Sequence, residues 1–296
     1  MPDDNPKYKD RLFNFIFGSE QHKDWTLSLY NAINGSNYTD TDAIKITTIK
    51  EIMYLGMRND VSFLISGEIN LYEQQSSFNP NMPVRMLQYA GHLYGKYIVE
   101  NKLNIYSSSL LKLPVPKLVV FYNGDKDTED EIILKLSSSF PDGANPDIEV
   151  KVRMLNINYG RDLELLKAYE PLNEYSWLFA EVRKNKEHGG IESAIDKAIT
   201  DMPEDFILKS FLVAHRTEVK GMLVSEYNET EIMELFKEEG RVEGRAEGRA
   251  EGRIEGGIRM LCDLVRKGII SLSKAAAEVQ MTETEFLNKM RAFTEA

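Results

Sequence analysis

The chain has 296 residues, 42% of them hydrophobic and 10% aromatic, with a formal net charge of −11. No apolar run approaches the roughly 18 residues a transmembrane helix needs, and the single cysteine, Cys262, excludes an intramolecular disulfide. The polar, acidic N-terminus lacks a signal-peptide pattern, so a cytoplasmic location is expected, with no membrane partner.

Lys9 to Ile33 carries apolar residues at helical spacing, broken into two helices at Gly18–Ser19. Ile44 to Ile49 partly alternates and reads as a strand. Asp60 to Gln75 reads as two short strands joined at Ser66–Gly67. Val84 to Val99 is a helix by period, through Met86, Leu87, Ala90 and Leu93. Leu118 to Tyr122 is continuously apolar, which suits a strand covered on both faces. Ile148 to Ile157 is another strand candidate. The stretch from Asp125 to Glu131 is an acidic cluster. From Asp162 to about Tyr227 the pattern is helical, interrupted near Pro171, Gly189–Gly190 and Pro203. This order predicts an α/β core with a mixed sheet flanked by helices, followed by a helical extension.

Residues 239–257 repeat Glu–Gly–Arg with a period of four. On a helix the repeat would stack Gly240, Gly244, Gly248, Gly252 and Gly256 into a slowly drifting stripe. Each of these glycines costs up to about 1 kcal/mol relative to alanine. The segment is therefore either a charged linker or a helix that self-associates along the glycine stripe. Residues 258–296 read as a small helical unit, with Lys267–Gly268 closing one helix and Thr282 with Glu285 forming a capping box before the last. A helix-turn-helix reader of DNA would fit the spacing. The last helix, however, carries Glu283, Glu285, Asn288 and Lys289, which makes a packing or protein-contact unit the better reading.

The chemistry concentrates in the Asp60–Gln75 hairpin. Side chains alternate along a strand, so Glu73 and Gln75 share a face, and Asp60 stands where the first strand begins. Two carboxylates meeting at one end of a hairpin form a hard-oxygen site of the kind that suits Mg2+. Net acidity argues mildly against a nucleic-acid partner, but a metal-dependent nuclease must itself collect carboxylates. The four histidines, His22, His92, His188 and His215, show no ligand spacing, and no glycine-rich phosphate loop is present.

Asp60, the Glu73–Gln74–Gln75 run, the helix opening Met82–Pro83–Val84–Arg85, the Asp10–Phe13 segment and Phe121–Gly124 together resemble the PD-(D/E)XK nuclease superfamily. More narrowly they resemble the Rpn family of recombination-promoting nucleases, also described as PD-(D/E)XK nuclease family transposases. The resemblance implies a restriction-endonuclease-like fold over residues 1–160, a helical subdomain over 161–236 packed on that core, the repeat over 237–257 and a helical tail over 258–296. It implies Mg2+-dependent (or Mn2+-dependent) hydrolysis of DNA phosphodiester bonds, linked to recombination. Asp60 and Glu73 would bind the metal and Asp10 would complete its shell. Gln75 would position the attacking water, and Arg85 and Gln88 would contact phosphate. DNA is the implied substrate, and residues 238–296 are expected to drive homo-oligomerisation. Three positions depart from the superfamily pattern. Asn59 replaces a proline before Asp60, Gln75 stands where lysine is usual, and Asn14 replaces a basic residue near the first acid. Gln75 can place a water but supplies no charge. A nuclease-like fold that binds DNA or protein without cutting is the alternative reading.

Overall fold

A computed structural model describes residues 11–47, 60–187 and 189–295. Contacts divide the chain into two units, residues 1–230 and 231–296.

The first unit is built on a six-stranded mixed sheet of order β1-β2-β3-β4-β6-β5. Its strands are β1 (Lys45–Ile46), β2 (Val61–Ile65), β3 (Glu68–Gln75), β4 (Val115–Tyr122), β5 (Glu131–Lys135) and β6 (Lys151–Asn156). The β2–β3 pair is antiparallel, whereas β3, β4 and β6 run parallel to one another. The helix α3 (Met82–Glu100) makes the crossover from β3 to β4. The strand expected over Ile44–Ile49 is the short β1, and Ile49 lies outside the described residues. The strand expected from Ile148 is shorter, beginning at Lys151. One strand, β5, has no counterpart in the sequence reading, which took Asp125–Glu131 only as an acidic cluster. It is an edge strand, paired on one side to β6, and its residues are exposed or half-buried.

Helices cover both faces, as the unbroken apolar run of β4 requires. On one face Val61, Phe63, Tyr72, Val119, Phe121 and Leu155 pack against α1 (Leu12–Phe17), α2 (Lys23–Asn34), α5 (Glu170–Lys186), α6 (Ile191–Asp201), α7 (Ile207–Ala214) and the first turns of α8 (Arg216–Arg266). The short α4 (Glu164–Ala168) adds Leu165 and Leu166. Phe13 sits at the centre, its ring 4.9 Å from Phe17, 5.0 Å from Phe121 and 5.7 Å from Tyr175. On the other face Met82, Met86, Tyr89 and Leu93 of α3 cover Ile69, Leu71, Val120, Tyr122, Val152 and Met154. The helices after residue 160 therefore share one apolar core with the sheet.

Two of these helices draw their N-terminal caps from distant buried glutamates. Glu226 accepts from Leu12 N at 2.8 Å, and Glu174 accepts from Ile207 N at 2.9 Å and Leu208 N at 2.7 Å. Each carboxylate satisfies helix donors that no local side chain reaches.

In the second unit the repeat is helical, carried within α8. Gly244, Gly248, Gly252 and Gly256 face open space within the chain. The tail helices α9 (Leu272–Glu278) and α10 (Glu283–Glu295) enclose Ile258, Cys262, Ala275, Ala276 and Phe286. The capping box is present as expected: Glu285 N donates to Thr282 Oγ1 at 3.2 Å, and Thr282 N donates to Glu285 Oε2 at 2.8 Å. Among the described residues no helix is long and apolar enough to cross a membrane.

One close backbone approach is diagnostic. Gly124, just past β4, lies so near β3 that an added Cβ would stand 2.1 Å from the Ser76 carbonyl oxygen and 2.7 Å from the Tyr122 ring. Gly124→Ala is expected to cost about 1–3 kcal/mol, read as a lowered urea midpoint at unchanged slope.

Candidate functional site

The site is set by one turn. Ser66 and Gly67 both take positive φ, 50° and 76°, as a two-residue hairpin turn with the twist of its strands requires. This fixes the register at Ile65↔Glu68 through Val61↔Tyr72. Asp60 and Glu73, one step beyond the last pair, then stand opposite each other on the face that α3 covers. Alternation keeps Gln75 on that face and turns Tyr72 and Gln74 to the other. The structure thus brings Asp60, Glu73 and Gln75 together. All three are buried, Glu73 at 1% exposure.

The backbone knits the two acids. Gln74 N donates to Asp60 Oδ2 at 2.6 Å, and Asp60 N donates to Glu73 Oε2 at 3.4 Å. Two guanidinium groups supply counter-charge. Arg85, near the start of α3, donates to Glu73 Oε1 at 2.5 Å and to Tyr89 Oη at 2.9 Å. Arg11 places Nε 3.9 Å from Asp60 Oδ1 and donates from a terminal nitrogen to the Gln74 carbonyl at 2.9 Å. Arg11 also approaches Glu229 Oε2 at 4.0 Å, on α8.

Burial dominates the titration of this cluster. It pushes Glu73 up to about 8, and the neighbouring Asp60 charge adds to the rise, against Arg85 and Arg11. Asp60 is raised as well, by burial, with Arg11 and the Gln74 amide opposing. Glu226 rises to about 7, again by burial, opposed first by Arg11. Arg11 itself is pushed further up, chiefly by Asp60. Burial therefore favours the protonated form of both acids more than water would.

The remaining expected residues fare differently. Gln75 donates from Nε2 to Met82 Sδ, while its Oε1 is buried without a partner among the described residues. Arg85, expected to contact phosphate, is bound to Glu73 in the free chain. Gln88, on the same helix, is exposed and hydrogen-bonds to none of the three. Asp10 lies outside the described residues. Tyr89 is a buried core residue whose hydroxyl also holds Arg85. Arg11 and Glu226 carry no sequence signal that would assign them here. Their partners lie 63 and 214 positions away.

Among the described residues no group of three or more His, Cys, Asp or Glu side chains could hold a metal ion. The oxygens these residues carry on that face, two carboxylates and the partnerless Gln75 amide oxygen, are all hard donors of the kind that suits Mg2+ or Mn2+. No family model, curated protein or solved structure matches this chain.

The charge network can be tested in two ways. Above pH 8, where Glu73 is ionised, Arg85→Met should cost about 3–5 kcal/mol by leaving a buried charge unpaired. Glu73→Gln on that background should recover most of the loss in denaturant unfolding. Glu226 is protonated more readily folded than unfolded, so its contribution is full below about 4.5 and is lost as pH rises through about 7. Glu226→Gln keeps an acceptor for Leu12 N but cannot ionise. Between roughly pH 4 and pH 8 its stability relative to the parent should grow by on the order of 3 kcal/mol.

Proposed function

We propose that this chain is a Mg2+-dependent endodeoxyribonuclease of the PD-(D/E)XK, Rpn/transposase type, with a restriction-endonuclease-like core. The observation that carries the reading is the convergence of Asp60, Glu73 and Gln75 at the end of a buried hairpin, on the face of a mixed sheet covered by the helix bearing Arg85. It is supported by the partnerless Gln75 oxygen.

Asp60 and Glu73 would hold the metal, with Asp10 as the further acid the resemblance implies. A bound metal supplies Lewis-acid polarisation of the phosphate and a lowered water pKa. The chain's own residues do the rest. Gln75 presents an amide to orient the attacking water. Arg85, at the mouth between Glu73 and solvent, is placed to pass from carboxylate to phosphate as the substrate's negative charge enters. Lacking lysine at position 75, the site draws its positive charge from Arg85 and Arg11. The repeat and tail, residues 238–296, would join copies so that two sites address two strands, in the cytoplasm.

A second reading is a nuclease-fold module that binds DNA or protein without cutting. The pairing of both carboxylates with guanidinium groups favours it, since the charges are already neutralised. Plasmid nicking by purified protein with Mg2+ or Mn2+, beside Asp60→Ala and Glu73→Ala, separates the two. Metal-dependent nicking that falls at least about a hundredfold in both variants is the expected result. A folded parent chain inert under both metals would leave the binding module.

A further inference from the structure

The sheet ends on β5, whose outer edge carries no strand among the described residues. Such an edge presents a row of backbone donors and acceptors, a template for a further strand. Which residues offer them follows from the pairing on the inner side. Asn156 N donates to the Asp130 carbonyl at 2.8 Å, and Leu136 N donates to the Val150 carbonyl at 2.9 Å. In an antiparallel ladder, residues bonded inward alternate with residues turned outward. Asp130, Ile132, Leu134 and Leu136 therefore bond towards β6, and Glu131, Ile133 and Lys135 turn their N–H and C=O groups to the free edge.

The side chains sort in the same way. Ile132 and Leu134 pack into the core that α3 covers. Glu131, Ile133 and Lys135 share the other face and are exposed, Ile133 at 46%. Glu131 is steadied by Arg153 of β6, which donates to it from Nε at 2.7 Å and from Nη2 at 2.8 Å.

Charges on an edge strand usually keep other strands away. Here their order favours one partner. The strand reads Glu131–Ile132–Ile133–Leu134–Lys135, with the acid at one end and the base at the other. A second copy turned about a two-fold axis at Ile133 runs antiparallel. It sets Glu131 opposite Lys135 of the second copy, Ile133 opposite its own equivalent, and Lys135 opposite Glu131 of the second copy. Each of these is a hydrogen-bonded pair, because all of the residues concerned turn their backbone groups outward. Opposite charges directly across from one another stabilise such a pairing and like charges oppose it. A parallel copy in register would set Glu131 against Glu131 and Lys135 against Lys135. A wholly apolar strand would leave both charges unmatched.

We propose that β5 joins two copies of this chain edge to edge, continuing the sheet across a two-fold axis at Ile133. The contact belongs to the first unit. It depends neither on association through the repeat and tail nor on the nuclease reading. One strand pair buries little surface, so the association is weak and depends on concentration.

Sedimentation of the full chain over a concentration series measures the association, beside three variants whose fold is checked by circular dichroism. Ile133→Pro removes an outward N–H while sparing the β6 ladder. It should weaken association at least about tenfold. Glu131→Lys and Lys135→Glu each set like charges across the axis, and each alone should associate more weakly than the parent. Mixed in equal amounts, they set opposite charges at both ends and should recover association. The mixture is decisive, because neither loss of the Arg153 pair nor association through residues 238–296 would make it stronger than both variants alone. In the parent, hydrogen exchange at the Ile133 amide should slow as concentration rises. A chain that is monomeric throughout, a folded Ile133→Pro that associates like the parent, or a mixture no stronger than either variant alone overturns the proposal.

Discussion

The register of the β2–β3 hairpin is the constraint on which the site and the core both depend. A slip of one residue would send every side chain of a strand to the opposite face. Tyr72 and Phe63 would leave the aromatic cluster around Phe13, and Glu73 and Gln75 would turn away from α3. The turn at Ser66–Gly67, with both residues at positive φ, holds that register locally. The fully buried ladder holds it globally, since all of β3 but its first residue is inaccessible. Packing and chemistry are therefore specified by the same two strands.

Charge at the site is balanced within the chain. Two acids on neighbouring strands, sealed from water, would repel each other strongly without Arg11 and Arg85. The two arginines arrive from different layers: Arg85 from the helix over one face, Arg11 from the segment entering the helices over the other. Burial still wins against them, and raises both carboxylates. The cluster is a place where folding stability has been set against electrostatic readiness, a common signature of functional sites.

Much of this architecture was legible in the sequence, for identifiable reasons. Alternation and the Ser66–Gly67 pair exposed the hairpin, period exposed α3, and an unbroken apolar run exposed β4. The capping box of Thr282 and Glu285 was readable because its partners are three residues apart. The missed strand, β5, is an edge strand beside a run of acids, and weak burial leaves little pattern to read. The repeat was ambiguous because glycine penalties and helical spacing pull in opposite directions. Within the candidate site, Asp60, Glu73, Gln75 and Arg85 are near neighbours in the chain, so the hairpin pattern and the helix after it already put them within reach of one another. Arg11 and Glu226 act across 63 and 214 positions, and only the folded topology brings them to their partners.

The cap that Glu226 places on α1 has a consequence for how the chain is made. The first described helix, six residues long, receives a donor partner from a residue 214 positions later. A chain emerging from the ribosome has nothing to offer Leu12 N, and little to balance Arg11 on that side, until almost all of the first unit has been synthesised. The N-terminal layer must wait for α8 before it can close. A contact of this span forms only after a long loop has closed, so the N-terminal layer should mature late.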